Sequence, residues 1–394
     1  MKPRLLIIQN RFVIGGHSLD TIPLAYYLKD HFEIKILHGQ REPDETAPEF
    51  LLEKYKGLDL ELIPHFKRNV SLINEVRTFR TLCKHIKHFK PDIIHTHGAK
   101  SGLLGRLAGQ MMKVPVLIHT FHGHLFHSYF SPIISRQLIS IEKWLAKYTT
   151  QLIALSETQK NEIQQLLALR GDKISIVPLG VDYIEPSSHQ RNRMAFRNKY
   201  KIQEETVAIG MIGRIVAIKN GLFMMEVIRH ILTLQPNLNI VFFIVGDGVE
   251  KPKLMKYLHH HNIPFSCESS AGAKVVFTSW ISPIQFALDG IDILALPSLN
   301  EGTPLSVIEA QLCAKPVVAV NVGGVRDIML PGTSGILLKG HSVETFAKAI
   351  VQLISNDEER KKMGCAGRNF TLQNFTKEKE VSTFAHLYKH LINS

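Results

Sequence analysis

The chain has 394 residues, 45% hydrophobic and 21% charged, with a net charge of +12 at pH 7. That is too long for one ordinary core, so two domains are expected. No run reaches the ~18 apolar residues needed to span a bilayer, and the four apolar residues Leu5–Ile8 are too few for a secretory leader. Cys83, Cys267, Cys313 and Cys365 form no C-x-x-C pair. They read as reduced thiols, not a disulfide framework or a zinc site, and a cytoplasmic location is expected.

Residues 1–200 hold 28 Lys and Arg against 18 Asp and Glu, and 62–113 alone hold 10 against 2. A basic half of this kind suits an anionic partner such as a lipid surface, a phosphorylated substrate or nucleic acid, unless it is only a soluble basic face.

In chain order, RLLIIQN is a strand ending in a glycine turn, DTIPLAYYLKDH has helical spacing, and EIKILHG is the next strand. From Ser71 to Lys90 the apolar residues Leu72, Val76, Phe79, Leu82, Cys83, Ile86 and Phe89 follow a helical stripe that Pro91 stops. PDIIHTHG and VPVLIHTFHG are further strands around the helical SGLLGRLAGQMM. After the polar break VDYIEPSSHQRNR the alternation restarts, with TVAIGMIG, NIVFFIVGDG, KVVFTSW, DILALPS and KPVVAVN as strands. The expected fold is α/β: two doubly wound domains, 1–185 and 186–375, and a last helix in 376–394 that could pack back across the junction. Ligands of open α/β sheets bind beyond the carboxyl ends of the strands, so the cleft between two such domains is the expected site.

The stretch SLNEGTPLSVIEAQLCAKP follows the strand DILALPS and carries Glu301 and Glu309. Thr303 and Pro304 read as N-cap and first helical residue, leaving the N–H groups of Leu305 and Ser306 open to phosphate oxygens. Carboxylates on either side of such a mouth suit the hydroxyls of a nucleotide sugar. Upstream, GRIVAIKN places Arg214 and Lys219 past a glycine turn, two cations fit for a diphosphate. VGDG reads only as a turn.

Glu301 to Glu309 resembles the glutamate-x7-glutamate motif of glycosyltransferase family 4, retaining enzymes of the GT-B fold with two Rossmann-like domains. The similarity takes in Gly15–Gly16, PDIIHTHGAKSGLLGRLAG, IHTFHGHLF, PLGVD, GRIVAIKN, VGDG and GGVRD, in the order of members that build bacterial surface glycans. It implies an acceptor-side N-terminal domain and a nucleotide-sugar domain after it. It further implies that Glu309 bonds the ribose and that Glu301, with its loop Gly302, Thr303, Pro304 and Leu305, whose N–H groups are those of Gly302, Thr303 and Leu305, bonds the transferred sugar. Arg214 and Lys219 would neutralise the diphosphate, with Gly15 and Gly16 letting backbone approach it. Trp280 and Ile281 would lie against the base, and His122 would support the sugar as charge develops. His17, Ser18 and Asp327 depart from the family pattern. The donor implied is a UDP-sugar, with neither cofactor nor metal, and the acceptor a glycan or lipid-linked saccharide. Transfer would proceed by front-face displacement at an anionic membrane surface, with no nucleic acid involved.

The competing reading is a metal-dependent hydrolase on His95, His97 and His122, since H-x-H on a strand puts two rings on one face. A dinucleotide dehydrogenase lacks its G-x-G-x-x-G here.

Overall fold

The computed structural model describes residues 2–43, 45–123, 132–183 and 186–394. Contacts divide the chain into two units, Met1–Gly180 with Lys377–Ser394, and Val181–Thr376. The first passage thus comes at Gly180, ahead of the break expected near residue 185.

In the first unit, β1 (Arg4–Gln9), β2 (Glu33–Gly39), β3 (Asp59–Ile63), β4 (Ile93–His97), β5 (Val116–Thr120), β6 (Gln151–Ala154) and β7 (Ile174–Ile176) form a parallel sheet. Its order is β3-β2-β1-β4-β5-β6-β7. The crossovers carry α1 (Gly16–Leu28), α2 (Glu49–Lys54), α3 (Leu72–Phe89), α4 (Ala99–Met111), α5 (Pro132–Ala146) and α6 (Glu157–Leu167). Both faces are covered, which is why the central strands read as continuous apolar runs. Leu5 and Ile7 of β1 join the core with α1 and α2, while Leu6 and Ile8 join the opposite core with Leu82 and Ile86 of α3. Helix α3 stops at Phe89, two residues before Pro91, because Lys90 turns left-handed at φ 49°.

The second unit opens with α7 (Pro186–Tyr200) and β8 (Val207–Ile212), then α8 (Gly221–Leu234), β9 (Ile240–Val245), α9 (Lys251–His260), β10 (Phe265–Ser266) and β11 (Val275–Ser279). It continues through α10 (Gln285–Gly290), β12 (Ile293–Leu296), α11 (Leu305–Leu312), β13 (Val317–Val320), β14 (Gly335–Leu338), α12 (Val343–Ser355) and α13 (Asp357–Asn374). The sheet order is β10-β11-β9-β8-β12-β13-β14. Each sheet is wound outward in both directions from a central pair, β1 with β4 and β8 with β12. The loops at their carboxyl ends diverge there and leave a crevice.

The last helix, α14 (Lys377–Asn393), packs on α1 of the first unit. Phe384, Ala385 and Tyr388 enter the core beside Leu5, Ile7 and Ile22. The Lys377 ammonium lies between Asp20 of α1 and Glu380, and Glu380 Oε2 accepts the Gly180 N–H at 2.9 Å. Burial pushes the Glu380 carboxyl well up. Burial also opposes the charge on Asp20, but Lys377 and the hydrogen bond from Glu380 outweigh it and hold the Asp20 carboxyl below the usual range. The Lys377 ammonium thus has its counter-charge inside the fold.

Lys377→Met strands the buried Asp20 charge, and removal of one partner of a buried pair costs about 3–5 kcal/mol. Urea denaturation should show that loss, whereas Lys379→Met on the exposed side of the same helix should leave the midpoint unchanged.

Candidate functional site

In the second unit the site grows from the β8 and β12 tips. After β8 the chain turns through Gly213 to Asn220, held by Ile215 N–H on Asp247 O at 2.8 Å and by Leu299 N–H on Ile218 O at 2.8 Å. This turn aims Lys219 across the crevice, where Nζ meets Glu301 Oε1 at 2.6 Å. Ser298 Oγ donates to the same oxygen at 2.6 Å, and Glu301 is only 9% exposed at its side chain. Arg214 is exposed, with no side-chain partner among the described residues. One cation is thus paired and the other open.

The Glu301 loop is pinned from behind. Gly323 adopts φ 53°, and a Cβ there would lie 1.7 Å from the Glu301 carbonyl oxygen. Gly324 N–H donates to Gly302 O at 2.9 Å. Gly302 is half-buried, and Thr303 and Pro304 are buried. The helix start differs from expectation: Pro304 is the N-cap, extended at φ −72° and ψ 110°, and α11 begins at Leu305. Thr303 does not cap, and its buried Oγ1 has no hydrogen-bond partner among the described residues. Proline's fixed φ permits the extended cap, and the first-turn N–H groups of Leu305 and Ser306 still lack intrahelical acceptors.

Glu309 lies on the following turn. It is half-buried, and burial alone pushes its carboxyl up to about 7. Among the described residues no cation offsets that burial, whereas Glu301 has Lys219.

Trp280 and Ile281 follow β11, both half-buried. VGDG is more than a turn. Asp247 Oδ2 accepts from Ser279 Oγ at 3.0 Å and from Lys251 Nζ at 3.3 Å, while Gly246 N–H donates to Ser279 O at 2.9 Å. A Cβ on Gly246, at φ 132°, would lie 2.0 Å from Gly213 O and 3.5 Å from the Trp280 ring. This packing fixes the indole beside the β8 turn. Asp247, Ser279 and Ser298 are positioning residues that sequence reasoning missed; the D-G pair was their only sequence signal.

In the first unit, Gly15 caps α1 and Gly16 starts it, and no protein atom lies within 4 Å of a Cβ built on either. The space beside Gly16 is open within this unit, as close backbone approach by a ligand requires. His122, just past β5, shares a hydrogen bond with His97 of β4 (Nε2 to Nδ1, 2.7 Å), and His17 of α1 meets its ring edge-on at 4.6 Å. Burial lowers the His122 pKa despite the Asp20 charge, so the imidazole is neutral near pH 7.

The hydrolase triad fails here. His95 and His97 do share a face, with ring centroids 4.0 Å apart. Both His95 nitrogens are occupied, Nδ1 by Tyr388 OH at 2.6 Å and Nε2 by Thr120 Oγ1 at 2.7 Å. Asp20, His97 and His122 do approach one another, but Asp20 is already neutralised by Lys377. His124 and His127 lie outside the described residues.

Comparison with known proteins agrees with the fold of two doubly wound sheets. The family described as Glycosyltransferase Family 4 matches residues 14–184, and Glycosyl transferases group 1 matches residues 206–356. The chain is 30% identical over 389 residues to the Escherichia coli UDP-Gal:alpha-D-GlcNAc-diphosphoundecaprenol alpha-1,3-galactosyltransferase, covering 92% of this chain and 98% of that one. It is 27% identical to the putative glycosyltransferase EpsD of Bacillus subtilis, over 79% of each chain. Among solved structures, Anabaena HepE in complex with UDP and glucose shares the fold, with TM-score 0.77 and 19% identity over 98% of this chain and 99% of that one.

Glu309 makes stability pH-dependent. The folded state keeps a proton that the unfolded chain releases, so its contribution falls as pH rises from the usual glutamate range to about 7. Glu309→Gln abolishes that dependence, and relative to the parent it should gain roughly 3 kcal/mol between pH 5 and pH 8. Urea midpoints at the two pH values measure it.

Proposed function

The chain belongs to glycosyltransferase family 4, of the GT-B fold, and on that premise we propose that it is a retaining hexosyltransferase. It takes its sugar from a UDP-sugar and passes it to a lipid-linked saccharide in surface polysaccharide assembly. The observation that carries this reading is the Lys219–Glu301–Ser298 cluster beside the open first turn of α11. It sets a cation, a carboxylate and free N–H groups where a sugar diphosphate needs all three. Arg214 and Lys219 neutralise the diphosphate, Glu309 accepts from the ribose, Trp280 and Ile281 flank the base, and Glu301 accepts from the transferred sugar. His122 and Gly16 serve the sugar and the diphosphate from the first unit, with His122 acting as a neutral imidazole. A relative that acts on a diphosphoundecaprenol-linked saccharide supports the acceptor class.

The chemical step is front-face displacement. The anomeric C–O bond to the diphosphate breaks, the acceptor hydroxyl adds from the same face, and its proton goes to the departing diphosphate oxygen. Charge stabilisation by fixed groups supplies most of the acceleration. Two cations and a helix mouth offset the phosphate charge, so no divalent metal enters.

The test uses the two glutamates. Free UDP holds the ribose but no transferred sugar, so Glu309→Gln should bind it about tenfold to a hundredfold more weakly, the effect of one charge-assisted hydrogen bond. Glu301→Gln frees Lys219 for the diphosphate, so its UDP affinity should hold or rise while kcat falls. Titration calorimetry with UDP separates the two, and equal losses sink the assignment. NMR of the first-formed glycosidic product must show the donor's anomeric configuration, and activity must survive excess EDTA.

We further propose a peripheral position on the cytoplasmic, anionic face of a membrane. No described helix is long and apolar enough to cross one. Helix α3 exposes Leu72, Ile73 and Val76 beside Arg77, Arg80, Lys84 and Lys87, and α5 exposes Ile133, Ile134 and Trp144 beside Arg136, Lys143 and Lys147. Their acidic neighbours are spent: Glu75 on Lys100 and Glu142 on Arg106. The aromatic stretch 124–130 lies outside the described residues. Each cation near such a surface contributes about 1 kcal/mol, screened by salt. Flotation with anionic vesicles should succeed at low salt and fail at high salt; equal partition onto neutral vesicles defeats the proposal.

A further inference from the structure

A cleft of about 630 Å³ opens at the carboxyl ends of β2 and β3, lined among others by Phe12, His38, Arg41, Glu42, Leu62 and Lys67. None of these residues has a part in the donor chemistry. The cleft lies on the same carboxyl edge of the sheet as His122. Between the tips of β2 and β5 run three strand spacings, roughly 14 Å.

Its lining divides by chemistry. Lys67 is exposed, and its ammonium has no partner among the described residues. The Arg41 guanidinium donates to the Glu45 carbonyl at 2.9 Å, a neutral acceptor, and the Glu42 carboxylate shares the lining with it. The nearby Glu45 carboxylate is taken by Arg11 at 2.9 Å. Burial holds His38 neutral at the cleft wall, with its ring 5.5 Å from that of Phe12. The apolar side of the lining continues outward. Leu62 is 46% exposed, and beyond Lys67 the chain presents Val70 at 85%, Leu72 at 81% and Ile73 at 65%. Apolar side chains this exposed at a helix start lose free energy in water and need a cover. Two cations at the mouth of a cleft, a ring inside it and an apolar apron outside it fit an amphiphile with a saccharide, a diphosphate and a hydrocarbon tail.

We propose that this cleft is the acceptor's diphosphate subsite. Arg41 and Lys67 hold the diphosphate of a polyprenyl-diphosphate-linked saccharide. The first prenyl units leave over Leu62, Val70, Leu72 and Ile73, and the saccharide runs along the strand tips toward His122. This rests on the lipid-linked acceptor proposed above and adds the residues that recognise it. It also gives the exposed start of α3 a ligand as well as a bilayer.

The test is direct binding to the full chain, read without turnover. The probes are N-acetylglucosaminyl diphosphate bearing a farnesyl chain and the same compound bearing a methyl group. Arg41→Ala with Lys67→Ala should weaken both probes at least tenfold while UDP affinity stays at the parent value. Leu72→Ser with Ile73→Ser should weaken only the farnesyl probe, by about threefold to tenfold. All four positions are exposed, so the melting temperature serves as the check on folding. Parent affinity in the Arg41/Lys67 variant overturns the proposal, as does absence of farnesyl-probe binding by the parent. Equal competition by phosphatidylglycerol vesicles overturns it too, since the cleft would then read any lipid headgroup. Failure of the parent to bind UDP strikes the donor reading of the second unit and leaves this measurement standing.

Discussion

A parallel sheet wound in both directions from its centre leaves a gap above the strands where the winding reverses, and the candidate phosphate-binding groups of each unit sit around such a gap. In the second unit the gap lies between β8 and β12. The β8 turn sends Lys219 from one side and the β12 loop sends Glu301 from the other, and they meet at 2.6 Å. The first unit repeats the device with β1 and β4, from whose tips come Gly15–Gly16 and His97. Topology supplies the position, and the side chains supply only the chemistry.

Charge is then handled in two ways. Where a group serves the fold, its counter-charge is permanent, as with Asp20, Lys377 and Glu380. Where it faces the crevice, the compensation is partial or absent. Glu301 has a lysine that a ligand can claim, Arg214 is open, and Glu309 has burial without a cation. Hydroxyls and phosphates are the chemistry that would complete these unfinished pairs. Free energy withheld from the empty fold in this way becomes available on binding.

Much of this was legible in the sequence because buried parallel strands are continuous apolar runs and strand tips follow them directly. RLLIIQ, IVFFIV and ILAL lie within three such runs, and Glu301 could be placed at a carboxyl end from DILALPS alone. Edge strands such as Phe265–Ser266 and Gly335–Leu338 escaped, being too short or too mixed to show a period. Pro304 was legible as a helix signal, but whether it caps or begins the helix depends on a ψ angle that sequence does not carry. The histidines misled for a different reason. H-x-H fixes a shared face, yet whether a ring is a ligand or a satisfied core group depends on Tyr388, nearly three hundred residues away. Asp247 showed only as part of a turn, because its partner Ser279 comes from another strand, and Ser298 was silent although its partner Glu301 lies three residues on.

The order of synthesis gives one structural feature a further meaning. The second unit begins and ends at a single hydrogen-bonded place, where Val181 N–H meets Phe375 O at 2.9 Å, and all its residues emerge from the ribosome before α14 does. The first unit is begun earlier and finished later. Until residues 377–394 are made, its Asp20 lacks a counter-charge and His95 lacks the Tyr388 hydroxyl, while Leu5, Ile7 and Ile22 wait for Phe384. Domains generally mature from the amino terminus as they are translated; here the first unit closes after the second, and a ribosome that stalls within α14 yields a protein with a complete second unit and an unsealed first one.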